Sequence, residues 1–398
     1  MLRNSFILLC LMISSSFAQS LEEIINSAIN NNRDLQAIEK SIQIANEQIK
    51  LSNKWDNPIL TIGANDLQFD TSRRDLEPMQ AQYLGFSQNI PINDKFTLQE
   101  EIAQKDKNIA QLNYEDAKLK LKSKLIQYVY SIKILENKYS LLNEYQKNIK
   151  SLEDLTTSLY ENSKSNQNMI IDLKTDYLKI EVQKENLKNI INNSYLKLEE
   201  ITYDKVSSID IALDIKELIF VKEISTHPKI KILEQNSEKF NKQALLEDAK
   251  KLSDVKVNVA YFQRDDKYKD YANISLSIPL ALYGKENIKI VQAKMKASEF
   301  KDKLDDMKKS FELKLASLQN DIDSSYKKYQ LIKERIIPLQ VNNQDTIEKY
   351  NSLGITQPNE ILKNLNKIIK NRVAAYDEMK NYFDAYGKSY YFTQGKIR

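Results

Sequence analysis

Along most of this chain the apolar residues recur at the spacing of long helices, too long for a compact fold. Residues 94–160 contain neither Pro nor Gly. Leu135, Leu142 and Ile149 fall on one seam and Tyr145, Leu152 and Leu159 on a second, as in a coiled coil. One helix of that length reaches roughly 100 Å at a rise of about 1.5 Å per residue. No globular core buries such a rod, so it needs helical partners. The pattern resumes after the polar run 162–168 at Leu173, Tyr177, Ile180, Leu187, Ile191 and Leu198. A short polar break between two such runs predicts an antiparallel hairpin with its tip at the break.

Before the first rod, residues 21–54 are helical in pattern, with a break at 30–34 where Asn32 or Asp34 is the next N-cap. Pro58 disfavours helix at Asn57, and strands are expected over 59–69 and 79–90, the second stopped by Pro91. The same order recurs later. His227 and Pro228 open a helix to about Lys251, and Val255, Val257, Val259 and Tyr261 then alternate with more polar neighbours. Ala272, Ile274, Leu276 and Ile278 do the same before Pro279. A strand between lipid and a wet lumen has this pattern, and so does a soluble antiparallel sheet with one wet face. A second rod is expected over 284–350, kinked or split at Pro338, with a tip near Gly354 and a return from Pro358 to about Tyr386.

Pro279 lies 188 positions after Pro91, and Gly354 lies 189 after Ser165. The chain is thus read as a duplication. Its parts are a first repeat over 19–200 (strand pair 57–90, hairpin 93–200), a linker belt at 201–225, a second repeat over 226–388 (strand pair 254–279, hairpin 284–388) and a tail at 389–398. The six glycines are expected in strands (Gly63, Gly85), at a junction (Gly284), at a tip (Gly354) and in the tail (Gly387, Gly395), away from helix interiors.

Composition narrows the function classes. Charged residues make up 29% of the 398, but the net charge is only +4 with acids and bases interspersed, which gives no nucleic-acid footprint. Met1 to Ala18 reads as a secretory signal: one positive charge, a short apolar run and a small-x-small cleavage site. The only cysteine, Cys10, lies inside it, preceded by Leu9 and not by the small residue of a lipoprotein site. The mature chain then has no thiol for a disulfide or a metal. No later stretch approaches the roughly 18 consecutive apolar residues of a spanning helix, so any membrane crossing must use strands. Four strands cannot close a membrane barrel, which needs about eight. Shared strands in a ring of identical chains are the economical solution.

At this point the chain resembles the TolC family of outer-membrane efflux proteins. The resemblance is carried by Asn31, Asn32 and Leu35; by Gln88 to Pro91 and Ile278, Pro279 at the strand-to-rod switches; and by the tip Gly354, Ile355, Thr356, Gln357, Pro358, Asn359, Glu360, Ile361, Leu362. It implies a mainly α fold with a shared β-barrel: long hairpins forming an α-barrel, four membrane strands per chain and a homotrimer with twelve strands. It also implies outer-membrane lipid around the strands, a periplasmic adaptor protein at the tips, and an inner-membrane pump of RND or ABC type. The function implied is a passive duct in a tripartite efflux system. Asn65 to Leu67 and Glu77 to Met79 resemble the branch paired with heavy-metal cation exporters, although Asp94 stands before Lys95 where that branch has Gly. A type I protein secretion duct and a periplasmic coiled-coil scaffold without a channel are the alternatives.

By the same resemblance, Glu360 sits where an acid faces and narrows the pore, with Lys363 where TolC has a second acid. The adaptor-contact tips are Gly354, Ile355, Thr356 and Leu362, and at the first tip Ser165 and Leu173. There Ser165 replaces the family's Gly and Ile171 its acid. His227, the sole histidine, has no Cys or second His for company and reads as a helix-start residue. Asp265 with Asp266, and Asp305 with Asp306, have no His, nucleophile or Gly-rich loop nearby, so no catalytic site, cofactor or metal centre is expected.

Overall fold

The computed structural model describes residues 18–71, 73–163, 165–221, 223–352 and 358–396. Its order is α1 (Leu21–Asn31), α2 (Arg33–Ser52), β1 (Ile59–Asn65), β2 (Ala81–Ile90), α3 (Lys95–Glu161), α4 (Gln167–Thr202), α5 (Pro228–Ala249), β3 (Val255–Gln263), β4 (Tyr271–Ser277), α6 (Lys285–Gln330), a π turn (Leu331–Ile336), α7 (Ile337–Ser352) and α8 (Pro358–Thr393). After α1 the series helix, two strands, long helix, returning helix occurs twice. Apart from Ala18, the signal reading falls on residues outside the described set. Among the described residues no helix is long and apolar enough to cross a membrane.

The described residues fall into two compact units, and each draws on both repeats. The first comprises α1, most of α3, α4, the linker, and the chain from Ser310 onward. Its hairpin core holds Leu135, Leu142, Tyr145, Ile149 and Leu152 of α3 against Leu173, Ile180 and Leu187 of α4 and Ile361 and Leu362 of α8. Five of the six seam residues expected on α3 are therefore buried; Leu159, close to the tip, is not. A second cluster packs Ile24 and Ala28 of α1 on Leu125, Val129 and Ile132 of α3 and Leu198 of α4.

The break between α1 and α2 is set by Asn32. Its Oδ1 accepts from Leu35 N–H at 3.0 Å, and its amide donates to the Ile201 carbonyl at 3.0 Å. One side chain thus caps α2 and ties it to the end of α4. Asn32→Ala is expected to cost about 0.5–2 kcal/mol, the range for lost N-caps, read as a lower unfolding midpoint by circular dichroism. The linker is pinned by Tyr382, whose hydroxyl donates to the Lys216 carbonyl at 2.7 Å. Burial pushes this phenol up to about 12.

The second unit holds the four strands, residues 37–116 around the first pair, and residues 228–309 around the second. Here α5 packs against α6 through stacked Phe240 and Phe300, 5.5 Å between centroids. It meets α3 through Lys239–Asp106 at 2.6 Å and Lys242–Glu101 at 2.9 Å. On α6, Glu299 accepts from Lys296 and Lys303, which hold its carboxyl down to about 2 from an ordinary 4.5. A depressed carboxylate stabilises the fold above its unfolded pKa and loses that contribution as pH falls through the folded one. Glu299→Gln is thus expected to flatten the stability profile between pH 4.5 and 2, checked by thermal melts across that window.

Three boundaries differ from the sequence reading. β1 stops at Asn65, because Asp66 takes a left-handed φ of 50° and the chain folds back. The buried Gln80 side chain holds this fold, accepting from Leu76 and Glu77 N–H and donating to the Asp66 carbonyl at 3.0 Å. The Pro338 break is taken up just upstream: the π turn passes Ile337 N–H to the Ile332 carbonyl, five residues back. Proline's missing N–H then falls in the first turn of α7, where it is tolerated. Finally, α8 runs past Tyr386 to Thr393 and takes Gly387 into its interior, contrary to the expected tail.

Candidate membrane strip and helix tips

The four strands form one antiparallel sheet in the order β1-β2-β3-β4. The register places Leu60 opposite Phe86, Ile62 opposite Leu84, Phe86 opposite Val259 and Val259 opposite Ile274, with Val257 opposite Leu276. These residues share one face, since side chains alternate along a strand. That face is apolar on all four strands and uncovered in the chain: Ile62 is 76%, Ile274 74% and Leu276 67% exposed. Gln82 pairs with Gln263 at one end of the apolar band, and Gln88 lies at the other. The opposite face carries Thr61, Gly85, Ser87, Asn258, Asn273 and Ser275.

A soluble sheet turns its apolar face to a core and its polar face to water. Among the described residues nothing lies over the apolar face, the arrangement of a barrel strip whose outside meets lipid. β1 and β4 each pair on one side only among the described residues. Open edges are not tolerated in hydrocarbon, so this strip requires further strands at both edges.

The strand-to-helix switches repeat as well. Asn93 and Gly284 take left-handed φ values of 70° and 66° just before α3 and α6. Asp254 then braces the first switch: its Oδ1 accepts from Lys95 Nζ at 2.6 Å and Ile92 N–H at 3.3 Å. Lys95 is buried, while Asp254 stays 42% exposed and open to water on its other side.

At the tips, Glu360 and Lys363 are both exposed on the first turns of α8, while Ile361 and Leu362 between them are buried. Leu173 is likewise fully buried. Within the single chain, Leu173 and Leu362 therefore pack the tips from inside. Ser165 is half-buried. Gly354, Ile355 and Thr356 lie outside the described residues.

Sequence reasoning missed the polar ties between helices. Buried Asn364 donates to the Gln340 carbonyl at 3.0 Å and Gln344 Oε1 at 2.8 Å, and accepts from Asn343 at 3.1 Å. Asn366 accepts from the Tyr145 hydroxyl and donates to Asp176 at 3.1 Å, linking α8 to α3 and α4. The available signal was the repeated Asn within an apolar heptad pattern, a device that fixes register.

The remaining candidates are structural. His227 is fully buried, with Nε2 at 3.0 Å from the Tyr391 carbonyl and its ring edge-on to Phe311 and Tyr391. Among the described residues no cluster of three or more His, Cys, Asp or Glu could hold a metal. Asp305 and Asp306 lie exposed on α6.

Residues 24–202 match the model of the outer membrane efflux protein family. No curated protein matches the chain by sequence. Among solved structures, the CmeC outer membrane channel of Campylobacter jejuni aligns over 94% of this chain and 85% of its own, with TM-score 0.75 and 14% identity. The outer membrane protein VceC of Vibrio cholerae aligns over 94% and 95%, at 0.77 and 12%. The open-state MtrE outer membrane channel of Neisseria gonorrhoeae aligns over 94% and 88%, also at 0.77 and 12%. The TolC-like fold expected from the sequence is borne out along both repeats.

Proposed function

We infer that the protein is the outer-membrane duct of a tripartite export system, because residues 24–202 match the model of the outer membrane efflux protein family and the whole chain has the fold of solved outer-membrane channels. The observation that carries the reading is the four-stranded sheet with one bare apolar face, one polar face and two open edges. Three copies supply the twelve strands of a closed barrel, with apolar faces in lipid and polar faces lining a wet lumen. The helical rods extend into the periplasm. They too keep apolar residues uncovered, such as Ile171, Leu178 and Val182 on α4, for neighbouring copies to bury.

A duct of this kind does no chemistry. It opens a path, and a periplasmic adaptor and an inner-membrane pump supply grip and energy. Glu360 and Lys363, exposed together at the start of α8, face the pore and set its ionic preference. The tips marked by Ser165 and Leu173 and by Gly354, Ile355, Thr356 and Leu362 meet the adaptor. Glu360→Lys is expected to shift permeability towards anions, read as a changed reversal potential in a salt gradient. Heavy-metal cations are the cargo implied by the Asn65-Asp66-Leu67 and Glu77-Pro78-Met79 motifs, tested by the metal sensitivity of a deletion strain.

The test of the duct itself is fractionation of the outer membrane followed by planar-bilayer recording of the purified protein. The expected result is discrete conductance steps from the outer-membrane fraction. Recovery as a soluble periplasmic protein without conductance would support a coiled-coil scaffold instead.

A further inference from the structure

The polar face of the sheet is uneven. Through its middle it carries small groups: Gly85, Ser87, Asn258, Ala260, Asn273 and Ser275. At the end closed by the β1–β2 and β3–β4 connections it carries Tyr83, Phe262 and Tyr271, paired in register across three strands. Tyr83 and Phe262 stack with centroids 5.1 Å apart, and Phe262 and Tyr271 stack at 4.7 Å with planes only 3° apart.

Both ends of this row are fixed. Tyr83 leans over Gly63 on β1, where a Cβ would come within 2.6 Å of its ring; glycine is what admits the ring there. On the other side the Arg264 guanidinium lies 5.2 Å over Tyr271. That guanidinium is itself anchored, donating to the Lys269 carbonyl at 2.6 Å and to the Pro78 carbonyl at 3.1 Å in the other connection. A second strap, Lys267 to Asp75 at 3.0 Å, joins the same two connections. Girdle aromatics of membrane barrels face lipid. These rings lie on the opposite face from Leu84, Val259 and Ile274, and Phe262 is 9% exposed.

We propose that Tyr83, Phe262 and Tyr271 form a rigid aromatic collar, three rings per chain, which sets the size limit of the strand-lined pore at its loop end. The collar rests on the duct reading above. Small residues behind it leave a wider chamber, and the stacked, clamped rings cannot rotate aside as lone side chains would. Pore diameter at such a constriction decides which solutes pass.

The test probes the polar face from outside the cell. Cys10, the only cysteine, is changed to alanine, and Asn273→Cys is introduced behind the rings. Whole cells are treated with a small maleimide and with a polyethylene-glycol maleimide of about 2 kDa, chosen to exceed a pore narrowed by side chains. With the collar intact, the small reagent labels the thiol and the large one does not. Adding Tyr83→Ala and Tyr271→Ala is expected to raise labelling by the large reagent roughly tenfold or more. If the double variant does not reach the outer membrane, Tyr271→Ala alone serves, with a smaller rise. Equal labelling by the large reagent with and without the rings overturns the collar, as does exclusion of the small reagent. Ile274→Cys separates the two levels of inference: if it reacts as fast as Asn273→Cys, the sheet is no barrel strip and the duct reading itself falls.

Discussion

Replacing Gly387 by valine lowers stability by about 3 kcal/mol, at the upper end of overpacking costs, and the loss appears as a reduced melting temperature and reduced heat resistance of the assembled protein. The reason is space alone, since Gly387 sits inside α8 in ordinary helical geometry. A Cβ there would meet Gln127 Cγ at 2.5 Å, Gln127 N at 3.1 Å and Gln127 Cα at 3.3 Å. Two of these are backbone atoms of α3 and cannot swing away. The close approach also lets Ser123 Oγ donate to the Gly387 carbonyl at 2.7 Å. Alanine makes the sharper diagnosis. In an open helix Gly→Ala gains up to about 1 kcal/mol, whereas at this contact Gly387→Ala is expected to destabilise. Ser123→Ala, which removes the hydrogen bond but keeps the fit, costs only about 1 kcal/mol.

The second large effect is expected on the sheet. Ile274 lies mid-strand on the bare apolar face of β4. Arginine there costs about 2–4 kcal/mol per chain if that face meets the middle of the bilayer, and every copy in a ring bears the cost. Ile274→Arg is therefore expected to abolish recovery from the outer membrane. Asn273→Arg, one residue away on the wet face, is expected to insert normally and change only conductance. A soluble sheet with a covered face would not separate the two neighbours in this way.

Much of this was legible because periodicity is a strong signal when it runs long. The seams of α3 and α4, the hairpin tip near Ser165 and the strand pairs closed by Pro91 and Pro279 all follow from spacing and from two prolines. The duplication followed from a near-constant offset between equivalent landmarks. Less local features were hidden. Gly387 looked like a tail residue because helix propensity sees a breaker, not the Gln127 backbone it must pass. The end of β1 was overrun because the apolar character of Leu67 and Phe69 continues the strand, while the turn is dictated by Asp66 and the distant Gln80 side chain. At the tips, Leu173 and Leu362 keep the residue types of a contact motif, and their burial in the hairpin core adds a packing role that residue type alone does not reveal. The aromatic row required register, which no single strand reveals.

The sheet of this chain ends in two strands, β1 and β4, that each pair on one side among the described residues, and a ring of further copies would close both edges. Native mass measurement of the detergent-extracted protein reads the number of copies in that ring. The expected result is a particle of three mature chains that does not dissociate on dilution. A stable, detergent-free particle containing one copy of the chain would contradict it.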